Sequence, residues 1–108
     1  MNSKNKKAII IGGSKGIGKA ITKHLKKINF KTLGCSRKEI DTSNIASVLK
    51  FTNKHKFTNV LVLNSGGPPP LSFEKISIED WKKYFNQLFL GFFVLLKNIK
   101  VLKNGYVF

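Results

Sequence analysis

The stretch Lys7-Ala-Ile-Ile-Ile11-Gly-Gly-Ser-Lys-Gly16-Ile-Gly18 decides how the chain reads. Its first part, Lys7 to Ile11, is a short apolar, β-branched run that meets a glycine cluster, which predicts a strand covered on both faces, as in parallel sheets. From Ile17 the apolar residues fall at Ile17, Ala20, Ile21, Leu25 and Ile28 with lysines between them. That is the spacing of one helical face, and it predicts a helix ending near Asn29. Strand, glycine turn and helix in succession form the first unit of an α/β sheet.

Downstream, Lys31-Thr-Leu-Gly-Cys35 predicts a second strand, and the polar stretch from Ser36 to Asn44 a loop with at most a vestigial strand at Glu39 to Asp41. Asp41, Thr42 and Ser43 are candidate N-caps for a second helix carrying Ile45, Val48, Leu49 and Thr52 to about Lys54. Asn59-Val-Leu-Val-Leu63 predicts the next strand, which runs into Asn64-Ser-Gly-Gly-Pro-Pro-Pro70, where prolines and glycines forbid regular structure. Ser77-Ile-Glu-Asp80 has capping-box spacing, although Glu or Gln closes that box better than Asp. It opens a long helix with Trp81, Phe85, Leu88, Phe92, Leu95 and Ile99 on one face and Tyr84, Phe89, Phe93 and Val94 on a second. Burial on both sides is expected, inside a larger domain and as a candidate homo-oligomer contact through the 77–100 helix. Gly105-Tyr-Val-Phe108 begins a last apolar strand inside which the chain stops, as a natural domain rarely does.

With 108 residues, 42% of them hydrophobic, one domain with its own core is expected. The longest apolar run, Leu88 to Leu96, is too short for the roughly 20 residues of a membrane-crossing helix, so no membrane partner is expected. Met1 to Lys7 is polar and lysine-rich, unlike a secretory leader, and a cytoplasmic location is the expectation. A net charge of +15 raises the question of nucleic acid. The lysines, however, are scattered along the chain as solvated faces, and Arg37 is the only arginine among 20 basic residues, so no nucleic-acid partner is expected. Cys35 is a lone, buried-type cysteine, and His24 and His55 lack catalytic or metal-ligand partners, so no metal is expected.

Glycines between strand and helix serve a tight turn, close backbone approach to a pyrophosphate, and close packing of helix on strand. The helix that follows offers unpaired N–H groups and its positive dipole end to phosphate. Gly12, Ser14, Lys15, Gly16, Ile17 and Gly18 are therefore candidate cofactor-binding residues, and the absence of Lys-Ser/Thr after the glycines argues against a P-loop. At the end of the second strand an acidic residue would accept from a ribose hydroxyl, whereas arginine accommodates a 2′-phosphate. That edge reads Ser36-Arg37 with no carboxylate in it. Ser36 as donor, the planar fork of Arg37 and the charge of Lys15 together predict NADP(H) in preference to NAD(H).

The spacing Gly12-x-x-x-Gly16-x-Gly18 resembles that of the short-chain dehydrogenase/reductase family, with Ile11 where the family usually has Thr. Asn64-Ser-Gly-Gly67 resembles the family's Asn-Asn-Ala-Gly segment, and the resemblance places Asn64, Ser65 and Gly66 against the adenine-ribose side of the cofactor. Asp41 resembles the family's aspartate beside the adenine, but the link from Arg37 is shorter than usual, so the family's third strand and its preceding helix are expected to be trimmed or missing. The resemblance implies an α/β, doubly wound parallel sheet of Rossmann type, incomplete at its C-terminal side, in one partial domain over residues 1–108. It also implies hydride transfer between a nicotinamide dinucleotide and a small carbonyl or alcohol in the intact protein.

One departure bears on mechanism. The family's long helix reads Trp, seven residues on Asn, three more on Gly; Trp81 and Gly91 match, but Leu88 stands at the Asn. Asn86 lies on nearly the opposite face of a regular helix. The family's Ser and Tyr-x-x-x-Lys pair would fall beyond Phe108, so no catalytic residue is assigned within the chain. The alternative expectation is a non-catalytic nucleotide-binding or interaction protein.

Overall fold

A computed structural model describes residues 5–67 and 69–108. Met1 to Lys4 of the lysine-rich start, and Pro68 of the proline run, lie outside the described residues. The elements are β1 (Lys7–Ile11), α1 (Gly16–Lys27), β2 (Lys31–Cys35), α2 (Ile45–Lys54), β3 (Phe57–Leu63), α3 (Ile78–Phe85), α4 (Gly91–Asn98) and β4 (Lys100–Val107). A 3-10 turn at Phe73–Lys75 precedes α3, and a π-helical turn at Asn86–Leu90 joins α3 to α4.

The four strands form one parallel sheet in the order β2-β1-β3-β4. β1 is central, pairing Ile9 with Leu33 on one side and Leu61 on the other, and Ala8 to Ile11 are all buried. Alternation along the strand divides its side chains between two cores. Ile9 and Ile11 pack with Cys35, Ile40, Val48, Phe51, Leu61, Leu95 and Ile99, beneath α2 and α4. Ala8 and Ile10 pack with Phe30, Val60, Val62, Ile21 and Leu25, on the α1 side. The sheet is thus covered on both faces, as the apolar run of β1 requires.

Between β2 and α2 the described residues contain no strand. Ser36 to Glu39 form a turn in which the N–H groups of Glu39 and Ile40 both reach the Ser36 carbonyl at 3.1 Å, and β2 is an edge strand. The cap of α2 is Asn44, whose Oδ1 accepts from the Ser47 N–H at 3.3 Å, and not Asp41, Thr42 or Ser43. The reason is local: Asp41 already accepts from the Ser43 N–H at 3.0 Å and hydroxyl at 2.6 Å, closing a turn ahead of the helix. The capping box closes with Asp80 after all: Asp80 N–H to Ser77 Oγ is 3.0 Å, and Ser77 N–H to the Asp80 carboxylate is 3.4 Å.

Two further expectations are corrected. β4 starts at Lys100 rather than Gly105, because a register shift between Thr58 and Val60 lets the strand carry Asn104 in the left-handed region (φ 65°) without ending. The long helix is not buried on both sides by this chain. Gly91 and Leu95 are its buried residues, whereas Trp81, Phe85, Phe89 and Phe93 form an outward stripe, each more than half exposed. The π turn accounts for this: one extra residue offsets α3 from α4 by about 100°, so Trp81 and Phe85 lose the face they would share with Leu95 in a regular helix.

Candidate functional site

After β1 the chain crosses to α1 on one face of the sheet, and after β3 it crosses to α3 and α4 on the other. Their carboxyl ends therefore diverge, leaving a crevice where an open α/β sheet binds its ligand. Gly12 leaves β1 in the left-handed region (φ 69°), where only glycine avoids a steric cost. Across the crevice Asn64 leaves β3, and its Nδ2 donates to the Gly12 carbonyl at 3.2 Å, tying the two loops together. Gly18, in the first turn of α1, lies directly against that same carbonyl and has no room for a Cβ. The turn is anchored from below by the Gly13 N–H on the Cys35 carbonyl at 2.9 Å and by the Thr22 hydroxyl on the Gly13 carbonyl at 3.2 Å. No side chain caps α1 at Lys15 and no acidic residue stands in its first turn, so its leading N–H groups keep their capacity for an anion.

Two adjoining cavities fill the crevice. The larger, about 590 Å³, is lined by every sequence-predicted site residue except Gly18 and Asp41: Gly12, Ser14, Lys15, Gly16, Ile17, Ser36, Arg37, Asn64, Ser65 and Gly66, with Lys38 in addition. Gly18 backs Gly12 from beneath. The smaller, about 180 Å³, brings in Asp41 beside Ile40, Thr42, Lys83, Tyr84 and Gln87. The Ser43 hydroxyl holds the Asp41 carboxyl below its ordinary value, and the charges of Arg37 and Lys83 add to this against the opposing effect of burial.

Glu39 corrects the expectation that the β2 edge carries no carboxylate. The Ser36-to-Glu39 turn folds its side chain back so that Glu39 Oε2 accepts from the Ser36 N–H at 2.6 Å and from the Ser36 hydroxyl. Bonding to Ser36, above all to its hydroxyl, lowers the Glu39 pKa, and the nearby Lys38 charge acts in the same direction. The signal was present in sequence as Ser-x-x-Glu, a capping-box spacing at Ser36-Arg-Lys-Glu39.

Gln87 is a second residue the sequence reading missed. Its Nε2 donates to Ser65 Oγ at 3.0 Å and to the Gly66 carbonyl at 2.6 Å, tying the helix to the loop that lines both cavities. A helical wheel could not find it, because it sits in the π turn, where the regular phase is lost. Leu88, one residue on, faces an apolar cavity of about 410 Å³ together with Pro69, Leu71, Ile76, Trp81 and Phe89. Asn86 lines a separate hollow with Trp81, Lys82 and Phe85. No polar side chain at these two positions reaches the crevice.

Cys35 lies under the glycine turn. Burial, with the Glu39 charge adding, pushes its thiol up to about 12. At pH 8 it is expected to resist maleimide in the native protein and to react fully in denaturant; rapid native labelling would show that the end of β2 opens.

No protein-family profile matches the sequence, and no curated protein matches it. Solved structures do. A blue fluorescent protein from a metagenomic library, in complex with NADPH, superposes with a TM-score of 0.82 at 18% identity, over 99% of this chain and 56% of its own. A short-chain dehydrogenase from Burkholderia cenocepacia in complex with NADP gives 0.81 at 16% identity, over 99% and 55%. A short-chain dehydrogenase/reductase family oxidoreductase from Brucella ovis, in complex with a partially ordered NAD, gives 0.75 at 20%, over 88% and 56%. The chain has the short-chain dehydrogenase/reductase fold. It spans a little over half the length of these structures. Within that fold Asn64 and the glycine turn face one another across the crevice, while Leu88 faces apolar surroundings.

Proposed function

We propose that the chain binds NADP(H) in preference to NAD(H), as the cofactor-binding part of a short-chain reductase that passes hydride between the nicotinamide and a small carbonyl or alcohol. The observation that carries this reading is the wall of the larger cavity, where Ser36, Arg37 and Lys38 at the end of β2 meet Lys15 of the glycine turn. Three cations suit a phosphate better than a ribose hydroxyl alone. The structures of like fold hold NADPH, NADP or NAD, which supports the cofactor class and leaves the preference to Arg37 and its neighbours.

The residues fit such a cofactor. The Gly12 to Gly16 backbone and the uncapped start of α1 would hold the pyrophosphate; Arg37, Lys38 and Lys15 would hold a 2′-phosphate; Asp41, with Ile40 and Thr42, would border the adenine. Asn64 keeps the two loops at the spacing this needs. The bound nicotinamide would supply the hydride.

The test is titration of the chain with NADPH and NADH, before and after Arg37→Ala. NADPH is expected to bind more tightly, and the substitution to weaken it about 10- to 100-fold with little effect on NADH, the size of a lost charge-assisted contact. Equal affinities in the unsubstituted chain would overturn the preference. A second reading, dinucleotide binding without hydride transfer, is favoured by Leu88 in its apolar surroundings. Reductase activity of the intact protein toward any carbonyl would remove it.

A further inference from the structure

We infer that Gln87 is a positioning residue that sets the width of the adenine end of the crevice, so that the site takes an ordinary purine and discriminates against an enlarged one. The inference rests on the cofactor reading above, in which the smaller cavity borders the adenine. That cavity lies between two loops, Ile40 to Thr42 on one side and Ser65 to Gly67 on the other, and the helix closes it with Lys83, Tyr84 and Gln87.

The Ser65 to Gly67 wall has little packing of its own. It follows β3 without regular structure, Gly66 and Gly67 are exposed, and a Cβ on either would meet nothing within 4 Å. Asn64 fixes only the start of this loop, through its bond to the Gly12 carbonyl. Beyond that point, among the described residues, Gln87 is the one side chain from outside the loop that bonds to it. Its Nε2 has two hydrogens to donate, and it donates to Ser65 Oγ at 3.0 Å and to the Gly66 carbonyl at 2.6 Å. The opposite wall meets the same stretch of helix. Gly91, directly after the π turn, lies so close to the Thr42 carbonyl that a Cβ has no room. The helix thus holds one wall by backbone contact and the other by a carboxamide, and the gap between them is fixed. Without the carboxamide, the ligand itself would have to order the Ser65 to Gly67 loop, and binding would bear that cost. Two neutral hydrogen bonds amount to about a 10-fold change in affinity. The loss is selective, because a wall that yields penalises an enlarged base less than a fixed one.

Gln87→Met keeps the length of the side chain and removes the donor. Titrated with NADP and with its etheno-adenine analogue, whose base carries an added fused ring, the unsubstituted chain is expected to prefer NADP by about 10-fold. In Gln87→Met, NADP should bind about 10-fold more weakly and the analogue less than about 3-fold more weakly, with a melting temperature within about 4 °C of the unsubstituted chain. Gln87→Glu has the same shape but sets an acceptor against the Gly66 carbonyl, and it should narrow the preference too; its charge acts on both dinucleotides alike and cancels in their ratio. A role limited to stability would weaken both ligands together. Equal binding of the two by the unsubstituted chain, or a preference unchanged within about a factor of two in both variants, overturns the inference and leaves the cofactor reading standing. If the unsubstituted chain binds no dinucleotide, the cofactor reading fails and takes the inference with it.

Discussion

Gly18→Ala is expected to cost the chain about 100-fold in NADPH affinity, equivalent to roughly 2.7 kcal/mol. A Cβ at this position would collide with the Gly12 carbonyl oxygen and come within 2.9 Å of Asn64 Nδ2. Neither obstacle is the loose end of a side chain: one is backbone, and the other is the amide that ties β3 to β1. Relief requires α1 to withdraw from the turn, and that separates the helix N–H groups from the Gly12 loop with which they would share the pyrophosphate. The added methyl also overpacks a close contact, so a stability loss of about 1–3 kcal/mol should accompany it. Titration with NADPH and a thermal melt of the same sample separate the two effects. Affinity within about 10-fold of the unsubstituted chain, in a folded variant, would show that the crevice is not where the phosphates lie.

Leu95→Ala is expected to have the largest effect on stability. Leu95 is fully buried, and with Gly91 it is one of the two buried residues of α4, packed with Ile9, Val48, Phe51, Leu61 and Ile99. Truncation should cost about 2–5 kcal/mol, a large share of the 5–15 kcal/mol that stabilises a typical domain. For a domain near 100 residues each kcal/mol lowers the melting temperature by roughly 4–8 °C, so the change is easily read by circular dichroism. The control is Phe93→Ala, two residues earlier on the outward stripe at 57% exposure, where a change of less than about 1 kcal/mol is expected. A comparable loss at both positions would contradict the assignment of inner and outer helix faces.

Much of the site was legible because it depends on short stretches of chain. Gly12, Ser14, Lys15, Gly16, Ile17 and Gly18 fall in one turn, Ser36 and Arg37 at one strand end, and Asn64 to Gly66 at another. A parallel sheet with β1 in its centre brings those ends to one crevice. Glu39 and Gln87 escaped for different reasons. Glu39 reaches the edge only because the chain omits a strand between β2 and α2 and closes a turn instead. Gln87 reaches the loop only because the π turn redirects it.

The amino-acid sequence by itself determined β1, β2, the apolar centre of β3, α1 and the glycine turn, and with them the parallel α/β class. In each of these the pattern of apolar residues, or the demand for a missing side chain, acts over a few neighbouring positions, and any covering partner satisfies it. Only the tertiary structure decided which face of the 78–98 helix turns inward, where β4 begins, and that a carboxylate stands on Ser36. A one-residue π insertion rotates everything before it by about 100° relative to everything after it, and periodicity along a chain cannot register such an offset until one half is docked. Leu95 against the sheet supplies that docking, and it leaves Trp81, Phe85, Phe89 and Phe93 facing outward.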